Sequence, residues 1–150
     1  MKLVVACDPS GGIGVNGTLP WKTLKKDLER FKSLTINHPV VMGKRTWDSL
    51  PIKPLPERLN IVVTQQRLLN YPEVLATETL DLLDEFPEAW IIGGATLINS
   101  CWDRITEIHL SRTFAKYDCD THIDLVKLND FTMISIERCE DHTYEIWKKT

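Results

Sequence analysis

One carboxylate lies on the apolar side of a predicted helix near the start of the chain. Apolar residues recur there at the spacing of a helix face that packs on a core, and Asp27 lies on that face. A charged group among apolar side chains needs a partner, because burying it alone is strongly unfavourable. Two interpretations stay open: a ligand anchor or proton donor, or a helix-start aspartate at the positive end of the helix dipole. The apolar members of this face are Leu24, Leu28, Phe31 and Leu34.

A turn between a predicted strand and a predicted helix carries two cations and a hydroxyl. Cations beside the first N–H groups of a helix suit a phosphate. The turn is not a Walker A loop, because Arg45 stands where that motif requires Ser or Thr. A solvated helix start is the alternative interpretation. The candidate phosphate ligands, including two after the next strand, are Gly43, Lys44, Arg45, Thr46, Thr64 and Arg67.

Gly93 and Gly94 join a buried strand pattern to a helix pattern. Two glycines permit a close backbone approach to a ligand such as a diphosphate. The G-x-G-x-x-G sequence of the usual dinucleotide fold is absent, and a simple tight turn is the alternative.

The segment 8–21 is a long loop with four glycines, ending in Leu19-Pro20-Trp21. Long loops of this kind are often lids, and the apolar end favours a lid that closes over an apolar ligand. Acidic residues and one histidine alternate over 118–124, but without the spacing of an EF-hand or a zinc site. We therefore predict no metal.

The elements that must position these residues alternate along the chain. Strand patterns alternate with helix patterns up to residue 101, which predicts an α/β domain with a mainly parallel sheet, and the last strands predict an antiparallel edge. Ligands of such sheets bind at the carboxyl ends of the strands. The predicted strands are 2–7, 39–43, 59–64, 89–93, 105–114, 131–138 and 143–147. The predicted helices are 24–34, with Thr23 as its N-cap, 44–50, 78–85 and 94–101.

Composition predicts one soluble globular domain over 1–150. With 43% hydrophobic and 26% charged residues, the chain is unlike disordered, collagen-like or coiled-coil proteins. A net charge of −3 gives no overall attraction to nucleic acid or an acidic membrane. No apolar run near the start reaches the length of a signal segment or a membrane span, so we expect a cytoplasmic protein. The four cysteines lack C-x-x-C spacing and are predicted to be free, buried thiols.

Six motifs stand in a fixed order along the chain. They are Gly14 with Leu19-Pro20-Trp21, Asp27 with Phe31-Lys32, segment 39–47, segment 55–60, Ile92-Gly93-Gly94 and Asp120-Thr121-His122. In this order and spacing they resemble the dihydrofolate reductase family, from about residue 2 to residue 147, and are similar to its bacterial and phage members. The resemblance implies one α/β domain with a mainly parallel twisted sheet, an antiparallel C-terminal edge and helices on both faces.

The resemblance implies NADPH-dependent reduction of 7,8-dihydrofolate to 5,6,7,8-tetrahydrofolate, by hydride transfer to C6 with protonation at N5. Asp27 would hold the pterin amino group and N3, with support from the Ser111 hydroxyl, and Trp21 would bound the site through a water. Arg58 would pair with the carboxylate of the glutamate tail. The further substrate-binding residues implied are Val4, Ala6, Leu28, Phe31, Leu50, Leu55 and Ile92.

The resemblance also implies an NADPH site. The cationic turn and Thr64 would hold the 2′-phosphate, the start of the helix after Gly94 would receive the diphosphate, and the Gly93–Gly94 peptide would be cis. Loop 8–21 would close over the nicotinamide, with Asp120 accepting a hydrogen bond from the Gly14 region. The cofactor-binding residues implied are Ala6, Ile13, Gly14, Leu19, Gly43, Lys44, Arg45, Thr46, Thr64, Gly93, Gly94, Ala95, Thr96, Leu97 and Thr121.

Two alternative functions stay open. A reductase of the same fold acting on a ribosylated pyrimidine in riboflavin synthesis would not need Asp27 or Arg58, and a non-catalytic nucleotide-binding or structural module would not need to keep Asp27. The chain departs from many family members at Ile98, where an aromatic residue is common, and in having five residues between Trp21 and Asp27. The resemblance further implies a monomer that binds antifolate inhibitors.

Overall fold

Ten strands form within the residues that the structure describes, which are 1–14, 19–21, 23–68 and 70–150 of a computed structural model. Eight strands make one sheet and two pair separately. The strands are β1 (Lys2–Cys7), β2 (Gly12–Gly14), β3 (Val40–Gly43), β4 (Asn60–Val63), β5 (Leu75–Thr77), β6 (Trp90–Gly93), β7 (Glu107–Thr113), β8 (Thr121–His122), β9 (Phe131–Arg138) and β10 (His142–Lys149).

The large sheet has the strand order β5-β4-β3-β6-β1-β7-β10-β9. Its first six strands are parallel neighbours, and β10 runs antiparallel between β7 and β9. The fully buried run 40–42 in β3 suits the parallel part, because parallel strands are covered on both faces and read as continuous apolar stretches. This arrangement confirms the predicted α/β class and its antiparallel C-terminal edge.

The helices are short in the described part of the chain. They are α1 (Asp27–Thr35), α2 (Lys44–Ser49) and α3 (Ala95–Ser100), with 3₁₀ turns at Asp81–Glu85, Trp102–Arg104 and Leu125–Asp130. Among the described residues, no helix is long and apolar enough to cross a membrane.

Two helix predictions are wrong in detail. Helix α1 begins at Asp27 rather than at residue 24, and Thr23 is not its N-cap, because Lys26 adopts a left-handed conformation with φ 68° immediately before the helix. The segment predicted as a helix over 78–85 is a 3₁₀ turn of five residues, Asp81–Glu85. The short strands β2, β5 and β8 have no counterpart among the predicted elements.

Alternate residues of the same strands supply two apolar clusters, one on each face of the sheet. Leu3, Val41 and Ile91 pack in the cluster that α3 covers. Val40, Met42 and Trp47 pack in the other, together with α2. This alternation is the period of two that a strand imposes, so each central strand serves both cores.

The cysteines are free, as predicted, but not equally buried. Cys7 and Cys101 are buried, whereas Cys119 and Cys139 are only partly so, which corrects the prediction that all are core residues. Burial raises the pKa of the Cys7 thiol to about 12.

Replacing Leu3 tests the central core. Leu3 is fully buried in β1, so Leu3→Ala is expected to lower the free energy of unfolding by about 2–5 kcal/mol through lost contacts and a residual cavity. Urea denaturation of both proteins measures the difference. Ile136, 57% exposed on β9, is the matched control: Ile136→Ala is expected to change stability by less than about 0.5 kcal/mol. Equal effects at the two positions would contradict the assignment of the core.

Candidate active site

The carboxylate of Asp27 lies between the start of α1 and the sheet. Ser111, in the middle of β7, donates its hydroxyl to Asp27 Oδ1 at 2.7 Å. Ser111 is buried, whereas the Asp27 side chain keeps 28% exposure. The carboxylate therefore has a fixed partner on the protein side and remains accessible to a ligand.

Arg30 is a member of this site that sequence reasoning missed. Its side chain is only 16% exposed, and Nη1 lies 3.5 Å from Asp27 Oδ1. The same Nη1 donates to Ser111 Oγ at 3.3 Å, and the guanidinium carbon lies 3.9 Å from the centre of the Tyr144 ring. The i, i+3 spacing from Asp27 was the signal that could have found it, because such residues are neighbours on a helix.

Three hydrogen-bonded side chains form a row next to Arg30. Tyr144 bonds its hydroxyl to His109 Nδ1, and His109 Nε2 lies 2.7 Å from Glu107 Oε2. Burial lowers the pKa of His109, although its bond to Glu107 acts in the opposite sense. A neutral His109 therefore donates through Nε2 to Glu107 and accepts the Tyr144 proton at Nδ1.

The apolar residues expected to line the site are half-buried with one exception. Val4, Leu50, Leu55 and Ile92 pack against the apolar cluster around Trp47. Ala6 and Phe31 are also half-buried. Leu34 of α1 packs against the same cluster, so the partly exposed side chains around Trp47 lie on the α1 side of the sheet.

The exception is Leu28, which is 64% exposed. Its predicted place on a core-facing helix stripe is wrong, because α1 begins at Asp27 and directs Asp27 and Arg30 toward the sheet instead. Its exposure leaves it free to contact a bound ligand.

The turn that carries Arg58 is fixed by Asn60. The Asn60 side chain accepts from Leu55 N and donates to the carbonyls of Leu55 and Arg58, all at 2.9 Å. Arg58 itself donates to Pro56 O at 2.9 Å and to Thr35 Oγ1 at 3.0 Å. The guanidinium is thereby held in one place beside the C-terminal end of α1.

Strands β3 and β6 end side by side in glycines. The Gly93–Gly94 peptide is cis, as predicted, and Gly93 has a positive φ of 133°. Thr46 Oγ1 lies 3.2 Å from the position that a Cβ of Gly93 would take. The first turn of α2 therefore packs closely on this glycine pair.

The cationic turn lies on the surface beside these glycines. Arg45 is exposed, and Lys44 binds Asp48 through Nζ at 2.6 Å from Oδ1. Thr64 follows β4 on the next parallel strand, and its Oγ1 accepts from Gln66 N at 3.0 Å. The carboxyl ends of β3 and β4 thus place these three residues on the same edge of the sheet.

The start of α3 is turned mostly into the core. Ala95 and Leu97 are buried, and only Thr96 of the three predicted cofactor contacts there has an exposed side chain. Ile98 is fully buried as well, so the residue that departs from many family members packs in the core.

Loop 8–21 is anchored at its beginning by Asp8. This fully buried carboxylate accepts hydrogen bonds from the backbone of Ser10, Gly12 and Tyr117. These bonds hold the pKa of Asp8 below its ordinary value, although burial acts in the opposite sense. The part of the predicted lid over 15–18 lies outside the described residues.

The described ends of this loop lie in β2 and at Trp21. Ile13 and Gly14 belong to β2, which pairs with Thr121 and His122 in β8, and Asp120 N donates to Gly14 O at 2.9 Å.

Trp21 is buried against Tyr117, beside a groove of about 520 Å³. Leu19 is exposed.

Comparison with known proteins identifies the family of this chain. The dihydrofolate reductase family model matches residues 1–148. The chain belongs to the dihydrofolate reductase family.

Individual relatives agree with this assignment. A putative dihydrofolate reductase of Caenorhabditis elegans is 33% identical over 99% of this chain and 90% of its own length. The dihydrofolate reductase type 8 of Escherichia coli is 33% identical over 99% of this chain and 95% of its own. A Mycobacterium leprae dihydrofolate reductase is 48% identical over 61% of this chain and 59% of its own length. Dihydrofolate reductase activity with NADPH follows, and it is favoured over both alternatives of the sequence analysis.

The residues at the ends of β3 and β6 fit NADPH, the cofactor of this family. A Cβ built on Gly43 would lie 3.8 Å from Gly94 N. Glycine leaves this position without a side chain, and the neighbouring Arg45 is exposed, so the residue types suit a diphosphate and a further phosphate.

The buried histidine makes stability depend on pH. His109 has a lowered pKa when folded, against an ordinary 6.5, so unfolding takes up a proton just below that pH and stability falls on acidification. In His109→Gln this proton uptake is absent. The unfolding free energy of the variant is therefore expected to fall less steeply than that of the wild type between pH 6.5 and 5, and the two slopes should differ by up to about 1.4 kcal/mol per pH unit. Urea denaturation at several pH values measures the slopes. Identical slopes would contradict the assignment of a neutral, buried His109.

Proposed function

We propose that the cleft at Asp27 reduces 7,8-dihydrofolate to 5,6,7,8-tetrahydrofolate, and that residues 1–150 act as one catalytic domain. The observation that carries the proposal is the Asp27–Ser111 pair, a partly exposed carboxylate held on a buried hydroxyl beside apolar walls. Such a pair binds a flat heterocycle that offers adjacent N–H groups, as the pterin ring does.

Asp27 orients the pterin. Its carboxylate accepts from the 2-amino group and N3 of the ring, while Ser111 keeps Oδ1 in place. The negative charge also favours the protonated form of the substrate, so that N5 gains a proton from solvent as C6 is reduced. The C6–N5 double bond thereby becomes a single bond with one new hydrogen on each atom.

The apolar walls keep water from the reacting carbon. The pterin ring is enclosed by Phe31, Leu50, Leu55 and Ile92, with Leu28 on the open side. Excluding water in this way strengthens the contact of the ring to the carboxylate. Val4 and Ala6 of β1 lie beneath the pterin ring, and Trp21, at the end of loop 8–21, bounds the site on the side of that loop.

Arg58 holds the tail of the substrate. The Asn60 side chain and the bonds to Pro56 and Thr35 place its guanidinium beforehand. A preorganised guanidinium matches the two oxygens of the α-carboxylate of the glutamate. This contact gives affinity without touching the reacting atoms.

NADPH, when bound, supplies a hydride for C6 and leaves as NADP⁺. Arg45, Lys44, Thr46 and Thr64 would hold its 2′-phosphate on the edge formed by β3 and β4. The gap at Gly43, Gly93 and Gly94 would receive the diphosphate, with the backbone of Ala95, Thr96 and Leu97 at its side. Ala6, Ile13, Gly14, Leu19 and Thr121 would contact the remainder of the cofactor.

The same carboxylate would bind antifolate inhibitors with a protonated heterocycle, because it offers a fixed negative charge to a cation. We propose that a monomer is the active form, as the family resemblance implies.

Neutralising Asp27 tests the proposal. Asp27→Asn is expected to lower turnover of dihydrofolate about 100-fold or more near pH 7, with NADPH affinity unchanged because the cofactor contacts lie elsewhere. Turnover is measured by the decrease in the absorbance of NADPH, and NADPH affinity is measured by fluorescence titration. Glu29, exposed on the same helix, is the matched control, and Glu29→Gln is expected to retain wild-type turnover. Wild-type turnover in Asp27→Asn would overturn the proposal.

Removing the charge of Arg45 tests the cofactor site. Because Arg45 would contact only the 2′-phosphate, Arg45→Gln is expected to raise the KM for NADPH about tenfold. Neither kcat nor the KM for NADH should change, since NADH lacks this phosphate. Arg104→Gln is the control, since Arg104 pairs with Asp84 near the amino end of β1. An equal rise in the KM values for NADH and NADPH would show that Arg45 does not contact the 2′-phosphate.

A further inference from the structure

Arg30 is a cation with a single charged partner in the described part of the site. Arginine is seldom removed from water without compensation, yet this side chain lies between α1 and the strands β7 and β10. Among the described residues, Asp27 is the carboxylate within ion-pair distance of it. The charge of Arg30 is therefore directed at the carboxylate of the proposed active site.

His142 supports this charge as a neutral acceptor. A guanidinium has only donors, so His142 Nε2, 3.1 Å from Arg30 Nη1, accepts and carries no proton. The ring proton then lies on Nδ1, which donates to Asp141 Oδ1 at 2.7 Å. His142 is fully buried, so this contact fixes the position of Arg30 from the side of β10.

Tyr144 fixes the plane of the guanidinium. The ring centre lies 3.9 Å from the guanidinium carbon, a stacking distance that favours arginine over lysine. Tyr144 is itself held by His109, which is bonded to Glu107. The orientation of Arg30 thus rests on a chain of bonded side chains across two strands.

Resting on the proposed function, we infer that Arg30 is a positioning residue that keeps the Asp27 carboxylate fixed on Ser111. Arg30 and Ser111 both contact Oδ1 of Asp27. With two contacts on one oxygen, the carboxylate cannot rotate freely, and Oδ2 is left to accept from the substrate. Arg30 acts through Asp27 and does not itself contact the substrate.

Asp27 is the anion that the charge of Arg30 contacts. Besides Asp27 on its own helix, the groups that face Arg30 are His109 on β7, Tyr144 and His142 on β10, and Cys139 before β10. Burial raises the pKa of the Tyr144 hydroxyl, so it is neutral over the working range. Removing the positive charge therefore takes away one of the two contacts that hold the carboxylate in place for the substrate.

Two variants separate charge from geometry. Arg30→Met removes both the charge and the stack, and the KM for dihydrofolate is expected to rise about 100-fold with the affinity for NADPH unchanged. Arg30→Lys keeps the charge but loses the planar stack, so the KM for dihydrofolate should rise only about tenfold. Arg104→Met, which removes an arginine paired with Asp84, is the matched control and should leave the KM for dihydrofolate unchanged.

Folding of each variant is checked by NADPH titration, because the proposed cofactor contacts do not include Arg30. A purely structural role would alter stability and leave the KM for dihydrofolate of the folded Arg30→Met protein at the wild-type value, and that result overturns the inference. If Arg30→Met fails to fold, Arg30→Lys decides: a wild-type KM for dihydrofolate overturns the inference, and a raised KM with unchanged NADPH affinity supports it.

The wild-type protein separates this inference from the function on which it rests. Absence of NADPH oxidation by the wild type with dihydrofolate overturns both. Normal wild-type turnover together with wild-type behaviour of both Arg30 variants overturns only the role of Arg30.

Discussion

The hydrogen bond from Ser111 to Asp27 joins the first residue of α1 to strand β7 of the sheet, and the other contacts of the candidate site depend on it. A carboxylate at the edge of an apolar core must have partners, because a charge removed from water without them is strongly unfavourable. The buried hydroxyl of Ser111 and the cation of Arg30 meet this requirement on the protein side. The opposite side of the carboxylate is exposed, and in the proposed function the substrate binds there.

The parallel part of the sheet determines where the remaining contacts gather. Strands β1, β3, β4 and β6 run in the same direction, so their carboxyl ends share one edge, and the turns that follow them lie side by side. This is why Gly43 and Gly94 face each other although fifty residues separate them in the chain. The antiparallel strand β10 serves a different purpose, because it brings Tyr144 and His142 beneath Arg30.

Much of the fold was predictable, because it depends on local patterns. Buried β-branched runs indicated the parallel strands, and their alternation with helix patterns indicated the α/β class. The start of α1 was not predictable from its apolar spacing, since the left-handed conformation of Lys26 is a backbone feature that the pattern does not report. For the same reason Leu28 was placed in the core, although it is exposed. The strands β2 and β8 were missed because two or three residues are too few to show a period.

The sequence by itself determined the family and the residues with the right chemistry, namely a carboxylate on an apolar stripe, a cationic turn and a glycine pair. These are properties of residue type and spacing, which a linear chain displays in full. The tertiary structure alone decided that Tyr144 and His142 hold Arg30 against Asp27, because these side chains come from one helix and one strand up to 117 residues apart in numbering, from 27 to 144. Their meeting depends on strand pairing and helix orientation, and no spacing along the chain encodes a contact of that kind.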